Sequence, residues 1–470
     1  MKNAAIQFKV ENLGPLATGT LRLADLTVIC GENNTGKTYL TYALYGLLKR
    51  LTTFIVLPEF DISALREYGI LEIDLKQHIV SQSEEILREA VEVYRKNLHH
   101  VLAAQEARFD HTHLELGLNF DGVLTREYHN SFTSERGRRI VSFDKAANSN
   151  ILIVNAVNED AHESNNRLQY QRLIERAVTE ICFEPVIPHP FIVSTERTGV
   201  VMFKGDINLA SYNPLGFHEE IEERRPIRSI APGSFGGYPM PVHDNVSFIN
   251  SLSGIQTQDS ELLKTHPDIL NDFEALIGGS YKWQNHNLYF VPKGTGEGRL
   301  QMSESSSAVR SLVILGYYLK HLAKPGDLLM IDEPELNLHP ANQRKMARLL
   351  ARLVNAGIRV LATTHSDYIV KELNTLIMRH YSIEHGKKLP KDSRYTEQDI
   401  LSPERVRVYM LREDSARKNG HTRKLKALTL CEADISPTFG IEASSFDETI
   451  EDMNAMQESL YYEIEYAGKA

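Results

Sequence analysis

Gly31-Glu32-Asn33-Asn34-Thr35-Gly36-Lys37-Thr38 decides the fold. It follows the apolar run Leu26-Thr27-Val28-Ile29-Cys30 and precedes Tyr39 to Lys49, which reads as a helix. Strand, glycine loop and helix in that order are the context in which G-x-x-x-x-G-K-[ST] means a P-loop. Gly31 and Gly36 let the backbone curl so that consecutive N–H groups, including those of Asn33, Asn34 and Thr35, point at phosphate oxygens. Lys37 supplies a point charge for the β- and γ-phosphates, and Thr38 offers a hydroxyl to Mg²⁺. The helix that starts there adds its dipole to the attraction. A P-loop alone says nucleotide; the rest of the chain must say what the nucleotide is for.

The chain has 470 residues, enough for two or three domains or for one core with a large insertion. Its 42% hydrophobic and 24% charged content is that of a soluble globular protein. A formal net charge of −10 does not advertise a nucleic-acid binder, although a local basic patch on an acidic protein is compatible with one. Cys30, Cys182 and Cys431 show no C-x-x-C pairing and read as small hydrophobes in a reducing compartment. Residues 1–10 lack the apolar core of a signal peptide, and no 18-residue apolar run is present, so a cytoplasmic protein without a membrane span is expected.

Outward from the P-loop, Ile6, Phe8 and Val10 alternate with polar residues, Gly14-Pro15 turns, and Leu21 and Leu23 alternate again. The P-loop strand is therefore preceded by a hairpin or meander. Residues 74–108 carry a long amphipathic helical pattern, 113–155 read as short strands and turns, and 160–182 return to helix with Leu168, Leu173, Ile174, Ala177 and Ile181 on one face. Phe191-Ile192-Val193 is a short strand ending in Ser194-Thr195-Glu196-Arg197. Residues 206–245 read as an irregular loop, 286–302 as a hairpin, and Ser311 to Leu319 as an apolar helix.

Leu328-Leu329-Met330-Ile331 is apolar throughout, the pattern of a central parallel strand, and it ends in Asp332-Glu333. A helix over 340–355 and a strand at Arg359 to Thr364 follow, completing a βαβ unit. Strand C-termini are where open α/β sheets place ligands. There Asp332 suits a Walker B carboxylate serving Mg²⁺, and Glu333 suits the group that polarises an attacking water. In isolation the pair reads equally as an acidic turn; the P-loop upstream decides. His365 ends the next strand, in place to contact a γ-phosphate or orient the water. Ser305, Ser306 and Ser307 stand at a helix start, where hydroxyl residues cap the helix and leave N–H groups open to an anion.

Together these motifs resemble the ABC/SMC-type ATPases over roughly residues 4–57 and 185–378. Within that class the chain is similar to the OLD-type ATPases of bacterial anti-phage systems, through Ile331 to Pro340, Thr363-Thr364-His365-Ser366 and the tract from Gly278 to Leu315. The resemblance implies an α/β ABC-type head, a mixed sheet with flanking helices and a largely helical insertion. Its divisions fall at 1–57 (core with P-loop), 58–184 (inserted domain), 185–378 (core with signature, Walker B and switch histidine) and 379–470 (an extension completing the core). It also implies that Ser305 to Val309 occupies the ABC signature, with Ser306 reaching the γ-phosphate of a second copy. Asn337 to His339 then falls at the D-loop and His365 at the switch histidine. Ser307 and Ala308 stand where the family has glycines. The active form implied is at least a dimer, up to a hexamer, holding ATP and Mg²⁺ between cores.

Many OLD-type proteins carry a Toprim nuclease after the switch histidine, which needs a Glu and a later Asp-x-Asp. After His365 this chain has a strand at Arg405 to Leu411, a basic loop at Arg417 to Lys426, the lone near match Glu432-Ala433-Asp434, and an acidic helix from Phe446 to Ile464. No built-in nuclease is expected. By resemblance to the ATPase subunit of PARIS-type systems, with Septu-type ATPases as neighbours, the expected role is an anti-phage sensor. It would hold a separate Toprim-type effector nuclease and release or activate it on meeting a phage-encoded trigger protein. The alternatives are an SMC-like DNA-repair ATPase that clamps DNA and a scaffold that binds ATP without turnover.

Overall fold

The computed structural model describes residues 6–133, 139–156, 166–202, 237–255, 258–285, 287–294, 298–386, 394–416, 425–438, 440–441 and 455–460. Among them a nine-stranded mixed sheet organises the chain. Its strands are β1 (Gln7–Leu13), β2 (Leu16–Arg22), β3 (Leu26–Cys30), β4 (His113–Gly117), β5 (Pro190–Val193), β6 (Leu328–Asp332), β7 (Arg359–Thr364), β8 (Val406–Ala416) and β9 (Leu425–Ala433). The spatial order is β4-β1-β2-β9-β8-β3-β7-β6-β5. From β8 to β5 all neighbours are parallel. The β1–β2, β1–β4 and β8–β9 pairs are antiparallel.

The fully apolar strands lie in the parallel part because helices cover both of its faces. Residues of β3 alternate between two cores as the pleat requires. Leu26, Val28 and Cys30 join one core with Leu329, Ile331, Val360 and Ala362, under the helices Met240–Ile255, Val313–His321, Pro340–Asn355 and Asp367–Glu384. Ile29 joins the other with Leu328, Met330 and Leu361, under the P-loop helix Lys37–Phe54. The C-terminal strands β8 and β9 lie mid-sheet, with β8 hydrogen-bonded directly to the P-loop strand β3.

Residues 58–184 hold the helices Ser83–Lys96 and Asn166–Cys182 and also a four-stranded antiparallel sheet. That sheet runs Ile70–Asp74, Ile151–Ala156, Arg139–Lys145, Tyr128–Thr133. The segment shares one core with the P-loop helix: Ile86, Ala90, Tyr94 and Ile174 pack in the cluster that holds Leu44, Leu47 and Leu51. The Tyr94 hydroxyl donates to Ala43 O at 2.7 Å, and β4 extends the main sheet at its edge.

Several expectations are corrected. The pattern over 74–108 does not make one helix but Leu75–His78, a 3₁₀ turn at Val80–Gln82, Ser83–Lys96 and Leu98–Val101. Ile79 leaves helical geometry (φ −122, ψ −59). The Asn97 amide donates to Val93 O at 2.8 Å, a side-chain bond that competes with the helical ladder. Leu168, expected on the buried face of its helix, is 70% exposed at the helix start. The hairpin expected over 286–302 does form, as Asn287–Pro292 against Leu300–Gln301, but it is extended by an unexpected third antiparallel strand, Gly279–Gln284, on the other side of Asn287–Pro292. Glycine is required at 279, where a Cβ would sit 2.3 Å from Val291 O. The loop expected over 206–245 ends at the helix that begins with Met240, where Met240 and Val242 are buried; residues 203–236 lie outside the described residues. Most of the basic loop (417–424) and of the acidic C-terminal helix (442–454 and 461–470) also lies outside them.

Candidate nucleotide site

The P-loop joins the end of β3 to the helix Lys37–Phe54. Asn34 (φ 63) and Gly36 (φ 95) take left-handed backbone, which curls the loop. At Gly36 a Cβ would approach Pro15 Cγ to 2.8 Å, so the β1–β2 turn leaves room for glycine alone. Asn33 and Asn34 are exposed, while Thr35 is buried and its hydroxyl donates to Glu32 O at 2.8 Å. The Lys37 ammonium donates to Gly31 O (2.8 Å) and Glu32 O (2.7 Å), which folds it over the loop. Burial lowers its pKa, opposed by the charges of Glu333, Asp332 and Glu335.

Two strand ends meet the loop. Asp332, the last residue of β6, is 1% exposed. It accepts from Thr38 Oγ1 at 3.1 Å through Oδ2, and from Thr363 Oγ1, on the neighbouring β7, through Oδ1. Desolvation pushes its pKa up to about 6; the two threonine hydroxyls act against that shift. Thr38 and Asp332 are thus adjacent hard-oxygen donors, the set that Mg²⁺ takes when phosphates and water complete its shell. The P-loop and this donor pair fit a magnesium–nucleotide complex.

Glu333 follows in a left-handed conformation (φ 53) that costs a non-glycine residue energy. Its N–H donates to Thr363 O at 3.1 Å. Beside it, His365 Nδ1 lies 3.7 Å from Glu333 Oε1 and 3.3 Å from Glu335 Oε1. Glu335 is buried, and its Oε1 accepts from Thr364 Oγ1 and from the His365 N–H, both at 2.8 Å. It thereby fixes the backbone that carries the half-exposed imidazole. Lys37, Thr38, Asp332, Glu333 and His365 come together at the C-terminal ends of the interior strands β3, β6 and β7.

The serine turn is built differently. Ser305 is buried and donates to Gln301 O at 2.9 Å, while Ser306 and Ser307 are exposed. Ser306 caps the short helix Ser307–Ser311 by accepting from Val309 N at 3.3 Å. Their hydrogen bonds stay within their own turn. At the expected D-loop, Asn337 takes φ 62 and His339 caps the helix Pro340–Asn355.

Two residues given no role by the sequence belong to this site. Glu335 sits two positions beyond Glu333. Arg197 ends the Ser194 to Arg197 stretch and is fully buried behind Asp332 and Glu333, donating to both of their carbonyl oxygens at 2.6 Å. The signal for Arg197 was a charged residue just past an apolar strand.

A family model described as an AAA ATPase domain matches residues 6–177 and 241–370, which hold all the site residues named above except Arg197. The chain belongs to the AAA ATPase domain family. The first matched stretch of this ATPase domain runs unbroken through residues 58–177. No curated protein matches the chain. Solved structures similar to it include an SmcHead bound to the C-winged helix domain of ScpA (11% identity, 91% of this chain and 97% of that chain, TM-score 0.33). Others are the SMC head domain from Thermotoga maritima (11%, 92% and 100%, 0.30) and a Pyrococcus furiosus Smc head with an extended coiled coil, bound to the C-terminal domain of ScpA (11%, 96% and 98%, 0.33). Among the described residues no helix is long and apolar enough to cross a membrane.

Proposed function

We propose that this ATPase domain binds ATP with Mg²⁺ and hydrolyses it, in an assembly of at least two copies. The observation that carries this reading is the Thr38–Asp332–Thr363 contact, which closes the P-loop onto two strand ends and leaves Glu333 at the rim. Bound Mg²⁺ supplies charge neutralisation at the phosphates. The P-loop N–H groups and Lys37 hold the phosphates, and Thr38 with Asp332 orients the metal shell. Glu333 accepts a proton from the attacking water, and His365 steadies that carboxylate from one side. Ser306 and Ser307, exposed at the start of the helix that Ser306 caps, suit contact with the nucleotide of a second copy.

The finer role rests on the sequence resemblance: a sensor of OLD or PARIS type that holds a separate effector nuclease and frees it on meeting a phage protein. Turnover by wild type, Lys37→Ala and Glu333→Gln tests the first level; equal rates in all three would end the catalytic reading. Co-purification with the product of an adjacent gene tests the second. A chain that purifies alone and binds duplex DNA more tightly with ATP, in a salt-sensitive way, would transfer the case to a DNA clamp.

A further inference from the structure

Arg197 heads the large side chains that are wholly removed from solvent among the described residues. Its guanidinium donates to four main-chain oxygens from three separate parts of the chain. Nε reaches Ser311 O (2.9 Å), Nη1 reaches Ser194 O (2.9 Å) and Asp332 O (2.6 Å), and Nη2 reaches Glu333 O (2.6 Å). Carboxylates balance the charge only through space: Asp332, then Glu335 and Glu333. Burying a cation on carbonyls costs several kcal/mol that an apolar residue would not. What arginine offers here is a planar fork of fixed geometry. Ser311 makes a second link, its hydroxyl standing 3.3 Å from Leu336 O and 2.9 Å from Ala308 O. The last residue of the serine-capped helix is therefore tied twice to the turn that carries Glu333. Glu333, in that turn, holds a positive φ that costs a non-glycine residue energy and that the Arg197 bond to its carbonyl helps to hold.

We infer that Arg197 and Ser311 are positioning residues that make the helix Ser307–Ser311 and the turn Glu333–Leu336 one mechanical piece. A load on the exposed Ser306–Ser307 end is then felt at the main chain of Glu333. The consequence for turnover rests on the proposed contact of Ser306 and Ser307 with a second copy's nucleotide. With that contact, nucleotide arriving at one site presses on the other site's Glu333, and the coupling is reciprocal. The link itself lies within one chain.

Hydrogen–deuterium exchange on the full chain without nucleotide tests it, comparing wild type, Arg197→Lys, Ser311→Ala and Lys37→Ala. The reporters are peptides covering 305–312 and 333–338, where the N–H groups of Arg310, Glu333, Leu336 and Leu338 are hydrogen-bonded. Ser311→Ala keeps the test valid if Arg197→Lys does not fold. In both positioning variants the two segments are expected to exchange faster together, by about tenfold or more, with Lys37→Ala changing neither. Faster exchange in one segment alone, or in neither, overturns the coupling. Turnover measured on the same proteins keeps the two claims apart. Coupled exchange with no hydrolysis by wild type would sink the proposed function and leave the link standing. Hydrolysis with uncoupled exchange would do the reverse.

Discussion

The nucleotide cradle and the serine turn belong to one proposed machine and are built in opposite ways. In the cradle, Lys37, Thr35 and Asp332 are buried, and the hydroxyls of Thr38 and Thr363 grip the two oxygens of one carboxylate. At the serine turn, Ser306 and Ser307 face outward from a five-residue helix whose far end is held by Arg197 and Leu336. The cradle's contacts lie within a single chain and carry strain: a desolvated Asp332, a Lys37 whose pKa burial lowers, and a Glu333 at positive φ. The turn carries none of these, and no hydrogen bond of Ser306 reaches the cradle of its own chain. On the proposed function, the difference teaches that strain sits where nucleotide and metal would relieve it, whereas the surface offered to a second copy is exposed and unstrained.

The largest expected effect tests the cradle's chemistry. Glu333→Gln keeps the shape and removes the proton acceptor, so turnover should fall by about 10²- to 10⁴-fold. Nucleotide binding persists, and an ATP-bound assembly should accumulate on size-exclusion chromatography. Turnover within twofold of wild type would assign the water-activating role elsewhere.

Next comes the strain itself. The folded-state carboxyl of Asp332 holds its proton up to about pH 6, above its ordinary 3.8, because burial penalises the anion. The folded protein therefore binds more protons than the unfolded chain between these values. Stability is lost as pH rises through that window, and the cost, on the order of 3 kcal/mol, is complete above it. Asp332→Asn should melt higher than wild type at pH 7.5 in EDTA, and the gap should shrink to roughly half at pH 5. The same variant should lose the Mg²⁺-dependent part of nucleotide binding. A variant less stable than wild type at pH 7.5 would show that the threonine contacts outweigh desolvation.

Lys37→Ala is the third test. It removes a charge that a phosphate would meet, and charge-assisted hydrogen bonds contribute about 1.5–3 kcal/mol each. A labelled ATP analogue should bind about tenfold to a hundredfold more weakly. Since, among the described residues, the hydrogen bonds of the Lys37 ammonium go to the carbonyls of Gly31 and Glu32 within its own loop, the unfolding midpoint should move little.

The contrast between the two regions also explains what could be read from the residues. The P-loop and the Asp332-Glu333 strand end were legible because each is a local pattern, an apolar run followed at once by the residues it presents. The hairpin β1–β2 and the parallel strands β6 and β7 were legible for the same reason. Arg197 was not: three of its four partners stand 114 to 136 residues away, and its neighbours Thr195 and Glu196 suggest a solvated strand end. The four-stranded sheet over residues 70–156 emerged only as scattered short strands, since their pairing, Ile70–Asp74 on Ile151–Ala156 above all, is non-local. The placement of β8 beside the P-loop strand was hidden likewise, because no local pattern says where a C-terminal strand will dock. Glu432, weighed as a nuclease carboxylate, is a strand residue paired with Arg407.

The smallest expected effect lies at the serine turn. Ser306→Ala removes an N-cap, which costs about 1 kcal/mol in general and less here, where the cap is 3.3 Å long on a five-residue helix. The melting temperature and the affinity of the isolated chain for nucleotide should stay near wild type, because no hydrogen bond of Ser306 reaches the cradle. Turnover at concentrations that favour assembly should nevertheless fall several-fold, since the hydroxyl removed is the one offered to the second copy. The two measurements must separate for the contrast to hold. If Ser306→Ala weakens nucleotide binding in a dilute monomer, the turn serves its own chain's cradle. If neither binding nor turnover moves, Ser306 is a helix cap and the outward face is served by Ser307 alone.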